Sequence, residues 1–263
     1  MDTKVFLLDG GSLALDHSQL FWNREPGRTC RFPVYSVLIE HKDGRFLFDS
    51  GFNKAVFDQL RPGNALQTPA QTIPGALDLI GLRPSDITHV LNSHYHVDHV
   101  GGNRFCSCAT TVCHKLELEA ATNPEPFEAV GYCDMSFAPH LRPSSIDVGQ
   151  ADDLYTPRLE SISGDQEIAK GVVLFETPGH TPGHYSLMVK LAHRRPMIFT
   201  GDACYAQRSI DLNAIPGTHT DPRAAYRSMQ RLQDFARDHD AELFFSHDAE
   251  AWPSYVKAPG FYS

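Results

Sequence analysis

Apolar residues in this chain fall into short runs bounded by turn residues, the pattern of strands rather than of long helices. Near the start, Val5-Phe-Leu-Leu8, Val34-Tyr-Ser-Val-Leu-Ile-Glu40 and Arg45-Phe-Leu-Phe-Asp49 are β-rich. His41-Lys-Asp-Gly44 joins the last two and ends in the Asp-Gly pair of a hairpin. Asp49-Ser-Gly-Phe52 closes the third strand in a turn. Pro74-Gly-Ala-Leu-Asp-Leu-Ile-Gly81 reads as a short helix stopped by glycine, and Ile87-Thr-His-Val-Leu-Asn-Ser93 reads as a buried strand. Strand patterns return at Val172-Val-Leu-Phe-Glu176, Tyr185-Ser-Leu-Met-Val189 and Pro196-Met-Ile-Phe-Thr200. A helix rich in Arg and Gln follows over Pro222–Asp238, then a last strand, Glu242-Leu-Phe-Phe-Ser246. From Asn123 to about Ser163 the periodicity fades into Pro, Ser, aromatic and acidic residues, as expected of a lid or insertion. Two strand-rich halves, each ending in helix, predict an α/β sandwich: sheets face to face with helices outside, in a single domain over 1–263.

The densest chemistry lies in His94-Tyr-His96-Val-Asp98-His99, followed by Val100-Gly101-Gly102. In an extended segment side chains repeat every two residues, so His94 and His96 share a face. Asp98 and His99 then sit at a turn opening a helix, with the glycines allowing close backbone approach. Two imidazoles plus an Asp-His pair exceed the needs of one tetrahedral ion and suit two adjacent ones. Thr177-Pro-Gly-His180-Thr-Pro-Gly-His184, Thr200-Gly-Asp202 and Phe244-Phe-Ser-His247-Asp248 each add a His or Asp after a strand. One such residue alone is commonly a cap or a surface group. In the same strand-then-turn context every time, they converge on one rim.

Composition narrows the function. The 263 residues carry a formal net charge of −9 and no Lys/Arg cluster, which argues against a nucleic-acid partner. No apolar run is long enough to span a bilayer, and Met1-Asp-Thr-Lys-Val-Phe-Leu-Leu-Asp9 reads as a first strand rather than a signal peptide. A cytoplasmic location is therefore expected, with Cys30, Cys106, Cys108, Cys113, Cys133 and Cys204 as free thiols. The oligomeric state stays open, a homodimer included. A structural metal protein is the non-enzymatic alternative, although closed structural sites leave no position for a reacting water.

The set His94, His96, Asp98, His99, His180, Asp202 and His247 resembles the metallo-β-lactamase fold superfamily, an αββα sandwich with two metals between its sheets. Asp202 sets the chain apart from zinc β-lactamases that place Cys there. His96, rather than Glu, sets it apart from the flavodiiron branch, and the basic C-terminal segment of hydroxyacylglutathione hydrolases is missing. A nuclease of the same superfamily remains an alternative that the acidic balance disfavours. Tyr205 matches the tyrosine used by bacterial N-acyl-homoserine lactonases. Phe21-Trp-Asn-Arg24, Arg31-Phe-Pro-Val-Tyr-Ser36, Gln71-Thr-Ile-Pro-Gly-Ala-Leu77, Asn123-Pro-Glu-Pro-Phe127 and Gly183-His-Tyr-Ser-Leu187 resemble the 4-pyridoxolactonases of vitamin B6 breakdown.

This resemblance implies a metal-dependent lactone hydrolase. One metal would take His94, His96 and His180, the other Asp98, His99 and His247, with Asp202 bridging and a bridging hydroxide attacking the lactone. Tyr205 would support the oxyanion and Asp98 would protonate the leaving ring oxygen, making these two the catalytic side chains. Nitrogen and oxygen ligands without thiolate fit two zinc ions, with iron, cobalt or manganese as other occupants. His184 is expected to orient a ligand rather than bind metal, and Asp49 to accept from a ligand imidazole. Gly201 stands where many lactonases carry a larger apolar residue, which implies an altered pocket. Phe21, Trp22, Phe127, Tyr132 and Phe137 suggest aromatic walls for a compact lactone such as 4-pyridoxolactone. The alternative substrate is an N-acyl homoserine lactone, with quorum quenching as the role.

Overall fold

A computed structural model describes residues 2–132 and 157–263. Its strands are β1 (Lys4–Asp16), β2 (Thr29–His41), β3 (Gly44–Phe48), β4 (Ala65–Leu66), β5 (His89–Leu91), β6 (Thr110–His114), β7 (Arg158–Ile162), β8 (Gln166–Ala169), β9 (Val172–Glu176), β10 (Tyr185–Val189), β11 (Met197–Phe199) and β12 (Glu242–Phe244). The helices are α1 (His17–Leu20), α2 (Lys54–Leu60), α3 (Ile73–Asp78), α4 (Val97–Val100), α5 (Lys115–Thr122), α6 (Gln207–Asp211) and α7 (Pro222–Asp238).

Strands β4-β1-β2-β3-β5-β6-β7 form one sheet and β12-β11-β10-β9-β8 the other. The first opens with the expected hairpin, β2 running antiparallel to β3 with His41 opposite Gly44, and β5, β6 and β7 then add in parallel. Alternate residues of each sheet face inward. Val5, Leu7, Val37, Ile39, Phe46 and Phe48 meet Val172, Leu174, Leu187, Val189, Phe199 and Phe244 in one buried layer. On the outer face of the second sheet, α7 buries Ala225, Met229, Leu232 and Ala236 against Phe175, Met188 and Ile198. Ile73, Ala76 and Leu77 of α3 cover Phe6, Leu38, Leu47 and Val90 of the first sheet. The expected αββα sandwich is what forms.

The expected insertion needs correcting at its C-terminal end. Arg158–Ile162 is an edge strand paired in parallel with β6, so the sheet reclaims those residues. Its mostly exposed Arg-Leu-Glu-Ser-Ile sequence carries no apolar run to announce it. Phe137 and Cys133 lie outside the described residues. The five described cysteines are free thiols. No helix among the described residues is long and apolar enough to cross a membrane.

Gly101 shows why the metal-rich motif ends in glycines. What they approach is protein backbone rather than an ion. A Cβ on Gly101 would lie 2.1 Å from the Asn53 amide nitrogen and 2.4 Å from the Phe52 carbonyl carbon, while one on Gly102 would meet the Ser50 carbonyl oxygen at 2.5 Å. The close seat places α4 directly against the turn after β3, where Gly101 N–H donates to Gly51 O at 2.8 Å. Gly101→Ala is therefore expected to cost roughly 1–3 kcal/mol, the usual range for overpacking, read as a lowered denaturant midpoint. An unchanged midpoint would show that α4 can shift freely.

Candidate metal centre

The candidate ligands all lie at one end of the sandwich. His94 follows β5, and His96 is the residue from which α4 starts, with Asp98 and His99 on its single turn. His180 follows β9, Asp202 sits in a 3-10 turn after β11, and His247 comes just beyond β12. Strands β9, β11 and β12 point the same way, because β10 is antiparallel to its two neighbours and β12 is parallel to β11. Topology thus gathers residues from both sheets.

Their donor atoms form two groups, His94–His96–His180 and Asp98–His99–Asp202–His247, with the atoms of each group within 4.8 Å of one another. His180 Nε2 lies 3.2 Å from His94 Nε2 and 2.9 Å from His96 Nδ1. Asp202 stands between the groups. Its Oδ1 is 3.2 Å from both His99 Nε2 and His247 Nε2, while its Oδ2 is 3.4 Å from His180 Nε2 and 3.8 Å from His94 Nε2. Asp98 Oδ2 lies 3.7 Å from His247 Nε2 and 3.9 Å from His99 Nε2.

The far ring nitrogens of four of these histidines are occupied, which fixes their imidazoles. His180 Nδ1 donates to Thr218 O at 2.7 Å, His247 Nδ1 to Pro33 O at 2.9 Å and His99 Nδ1 to Asp49 Oδ2 at 2.7 Å. His94 Nδ1 reaches Ser93 Oγ at 2.9 Å, and that hydroxyl in turn donates to Asp49 Oδ2 at 2.7 Å. Asp49 is thus the expected acceptor, and through Ser93 it steadies a second ring as well.

Charge separates the two groups. Burial holds His94 well below the usual imidazole range, His96 at about 4 and His180 at about 3. The three rings are therefore neutral, and His94 and His180, whose Nδ1 atoms donate elsewhere, turn Nε2 lone pairs toward each other. Burial also opposes charge on His99 and His247, but Asp202 and neighbouring carboxylates outweigh it and raise both. Asp202 is also buried, yet His99 and His247 hold it well below the carboxylate range. His99 Nε2 and Asp202 Oδ1 are buried without a hydrogen bond of good geometry, although they face each other. Converging lone pairs and orphaned donor atoms are what a pair of cations would satisfy, so these residues fit two metals.

His184 stays out of both groups. Its Nδ1 lies 2.8 Å from Thr177 Oγ1, and its Nε2 accepts from the Asp202 amide at 2.9 Å, so it orients the turn bearing Asp202. Its ring also explains Gly201, whose φ of +51° is left-handed and whose Cβ would come within 2.7 Å of His184 Nε2. Gly201 does not border the cavity that opens onto the centre.

The sequence profile of the metallo-beta-lactamase superfamily matches residues 31–247. The chain belongs to the metallo-β-lactamase superfamily. Its relatives in that superfamily include the N-acyl homoserine lactonase AttM of Rhizobium radiobacter, 31% identical over 100% of this chain and 99% of that protein. Among solved structures, an N-acyl homoserine lactone hydrolase with N-hexanoyl-L-homoserine at its catalytic metal centre superposes with a TM-score of 0.82. That match is 27% identical and covers 100% of both chains. AidC, a dizinc quorum-quenching lactonase, shares the fold with a TM-score of 0.70 at 20% identity, over 98% of this chain and 92% of its own.

A cavity of about 390 Å³ opens onto the centre, bordered by His96, Asp98, His180, Asp202, His247 and Tyr205. Tyr205 is buried, its ring 5.1 Å from His247 and 5.9 Å from His180. Its phenol interacts with Asp202, and burial together with that carboxylate raises it well above the usual range, so it remains protonated. Of the expected aromatic residues Phe127 borders the cavity, but its walls are mainly aliphatic. Leu13 and Leu15 of β1, Leu20, Leu60, Val97 and Val130 line them together with Phe32, Phe57 and Phe127. Trp22 is half exposed and meets His219 edge-on at 4.9 Å, and Tyr132 packs on His96; neither lines the cavity. The leucines escape sequence reasoning because inward positions of a strand look alike whether they meet core or cavity.

Loaded protein is expected to carry two divalent ions per chain. Asp202→Ala should remove most activity and at least one ion while far-UV circular dichroism stays native, since the buried layer between the sheets does not include Asp202. Elemental analysis finding a single ion in fully active wild type would refute the paired site.

Proposed function

We propose that this metal-dependent hydrolase is an N-acyl homoserine lactonase, opening the ring of a signalling lactone to an N-acyl homoserine. The observation that carries this reading is the leucine-lined cavity ending at the metal centre, an apolar trench fit for an acyl chain. Relatives spanning the full chain act on such lactones, whereas a flat bicyclic ring such as 4-pyridoxolactone would leave these aliphatic walls poorly used. The vitamin B6 expectation gives way to the alternative. The net charge of −9 still speaks against a nuclease.

His94, His96 and His180 would hold one zinc and Asp98, His99 and His247 the other, with Asp202 shared. Zinc bound there supplies Lewis acidity and a water made nucleophilic at neutral pH. Tyr205, a neutral donor, is placed to give a hydrogen bond to the lactone carbonyl oxygen as it gains charge. Water adds to the carbonyl carbon and the ring C–O bond breaks. Asp98, which borders the cavity, takes a proton from the water as it adds and passes it to the departing ring oxygen, leaving a hydroxyl and a carboxylic acid that ionises to the carboxylate. The leucine walls keep bulk water from the acyl tail and hold the ring at the site end.

Comparison of kcat/KM on short- and long-chain N-acyl homoserine lactones and on 4-pyridoxolactone decides the substrate. The acyl lactones are expected to prevail, and a clear preference for 4-pyridoxolactone would reverse the reading. Tyr205→Phe should retain both ions while kcat falls, by less than the about 10²–10³ that follows loss of an oxyanion donor elsewhere, because the metals share that task. An undiminished kcat would remove Tyr205 from the mechanism.

A further inference from the structure

Among the described residues, Glu117 is a fully buried carboxylate near the centre to which nothing above assigns a task. It lies in the first turn of α5, three residues after the His114 cap, where a glutamate ordinarily folds back onto its own helix start. Here His114 caps the helix with its own ring, accepting from Leu116 N–H at 3.0 Å, and Glu117 is free to turn inward. Its Oε1 accepts from Tyr95 N–H at 2.9 Å and its Oε2 from Gly183 N–H at 3.2 Å. The hydroxyls of Thr181 and Tyr132 also interact with the carboxyl, in looser geometry than the two amides.

Each contact leads to the same three histidines. Tyr95 separates His94 from His96. Thr181 and Gly183 belong to the turn that begins at His180. The Tyr132 ring packs on His96 with centroids 5.0 Å apart. The approach at Gly183 is so close that a Cβ there would lie 2.3 Å from the Glu117 amide nitrogen. None of these contacts reaches Asp98, His99 or His247. Burial pushes the Glu117 carboxyl up to about 7 against the pull of its hydrogen bonds, so the position is retained at a cost to the charged form.

We propose that Glu117 is the positioning residue of the three-histidine site, tying the His94–His96 segment of one sheet to the His180 turn of the other. The inference rests on the two-metal reading above. A glutamine keeps the shape but turns an amide donor toward one of the two N–H groups, so one of the two loops loses its anchor.

The test is titration of metal-free wild type, Glu117→Gln and Thr181→Val with zinc, resolving the two binding steps, with thermal unfolding of each metal-free protein alongside. Glu117→Gln is expected to weaken one step by about 10–100-fold, the range seen when supports behind metal ligands are removed, and to leave the other within experimental error. Thr181→Val should weaken the same step less, and it decides the matter if Glu117→Gln proves insoluble. Both steps unchanged, or both weakened equally with a lowered unfolding temperature, would overturn the inference and reduce Glu117 to a packing residue. Wild type that binds no zinc at all would instead overturn the two-metal reading itself.

Discussion

A buried carboxylate, Asp202, stands where the two halves of the active rim meet, and its surroundings depend on their register. Asp202 comes from the second sheet, and its two oxygens face different histidine groups, one mostly supplied by the first sheet and one shared. An isolated carboxylate at this depth would cost several kcal/mol in lost hydration. Here His99 and His247 offset that cost, and His184 fixes the backbone from which the side chain projects. If β11 slipped by one residue against its neighbours, its inward and outward side chains would exchange places, and the carboxylate would no longer stand between the groups. The apolar layer between the sheets is therefore also what sets the distances at the centre.

Much of this was legible in the sequence because the relevant signals are local. Val172–Glu176, Tyr185–Val189 and Pro222–Asp238 form over the residues their patterns indicate, since each combines an apolar run or stripe with clear flanking turns. The ligand set reads the same way: seven residues in strand-then-turn contexts, all brought to one rim. Less legible were β6 and α5, which have no counterpart in the sequence pattern. Thr110-Thr-Val-Cys-His114 lacks a continuous apolar run, and α5 is only eight residues long. Glu117 was hidden for the same reason, since nothing in Lys-Leu-Glu-Leu-Glu distinguishes it from the exposed Glu119 two positions later.

The cavity illustrates a different limit. Leu13 and Leu15 sit in a strand whose alternation says only that they point inward. Whether they meet another side chain or a substrate depends on what the rest of the chain leaves unfilled, which is a property of the assembled sandwich. Aromatic residues near sequence features of interest, such as Trp22, turned out to serve the surface or the packing instead.

The glycines behind the ligand turns have a consequence for how the centre gains and loses its ions. Gly101 rests on Asn53, Gly179 on Ala225 and Gly183 on Glu117, each against main chain of a neighbouring element and none through a ligand atom. The shape of these turns is thus inherited from the sandwich and does not wait for a cation to impose it. In a zinc finger the metal supplies the folding free energy, and a chelator unravels the domain. Here the entropy of ordering the ligands is settled when the sheets close, so ions can exchange on a scaffold that stays intact, and one metal can replace another without a new fold being chosen.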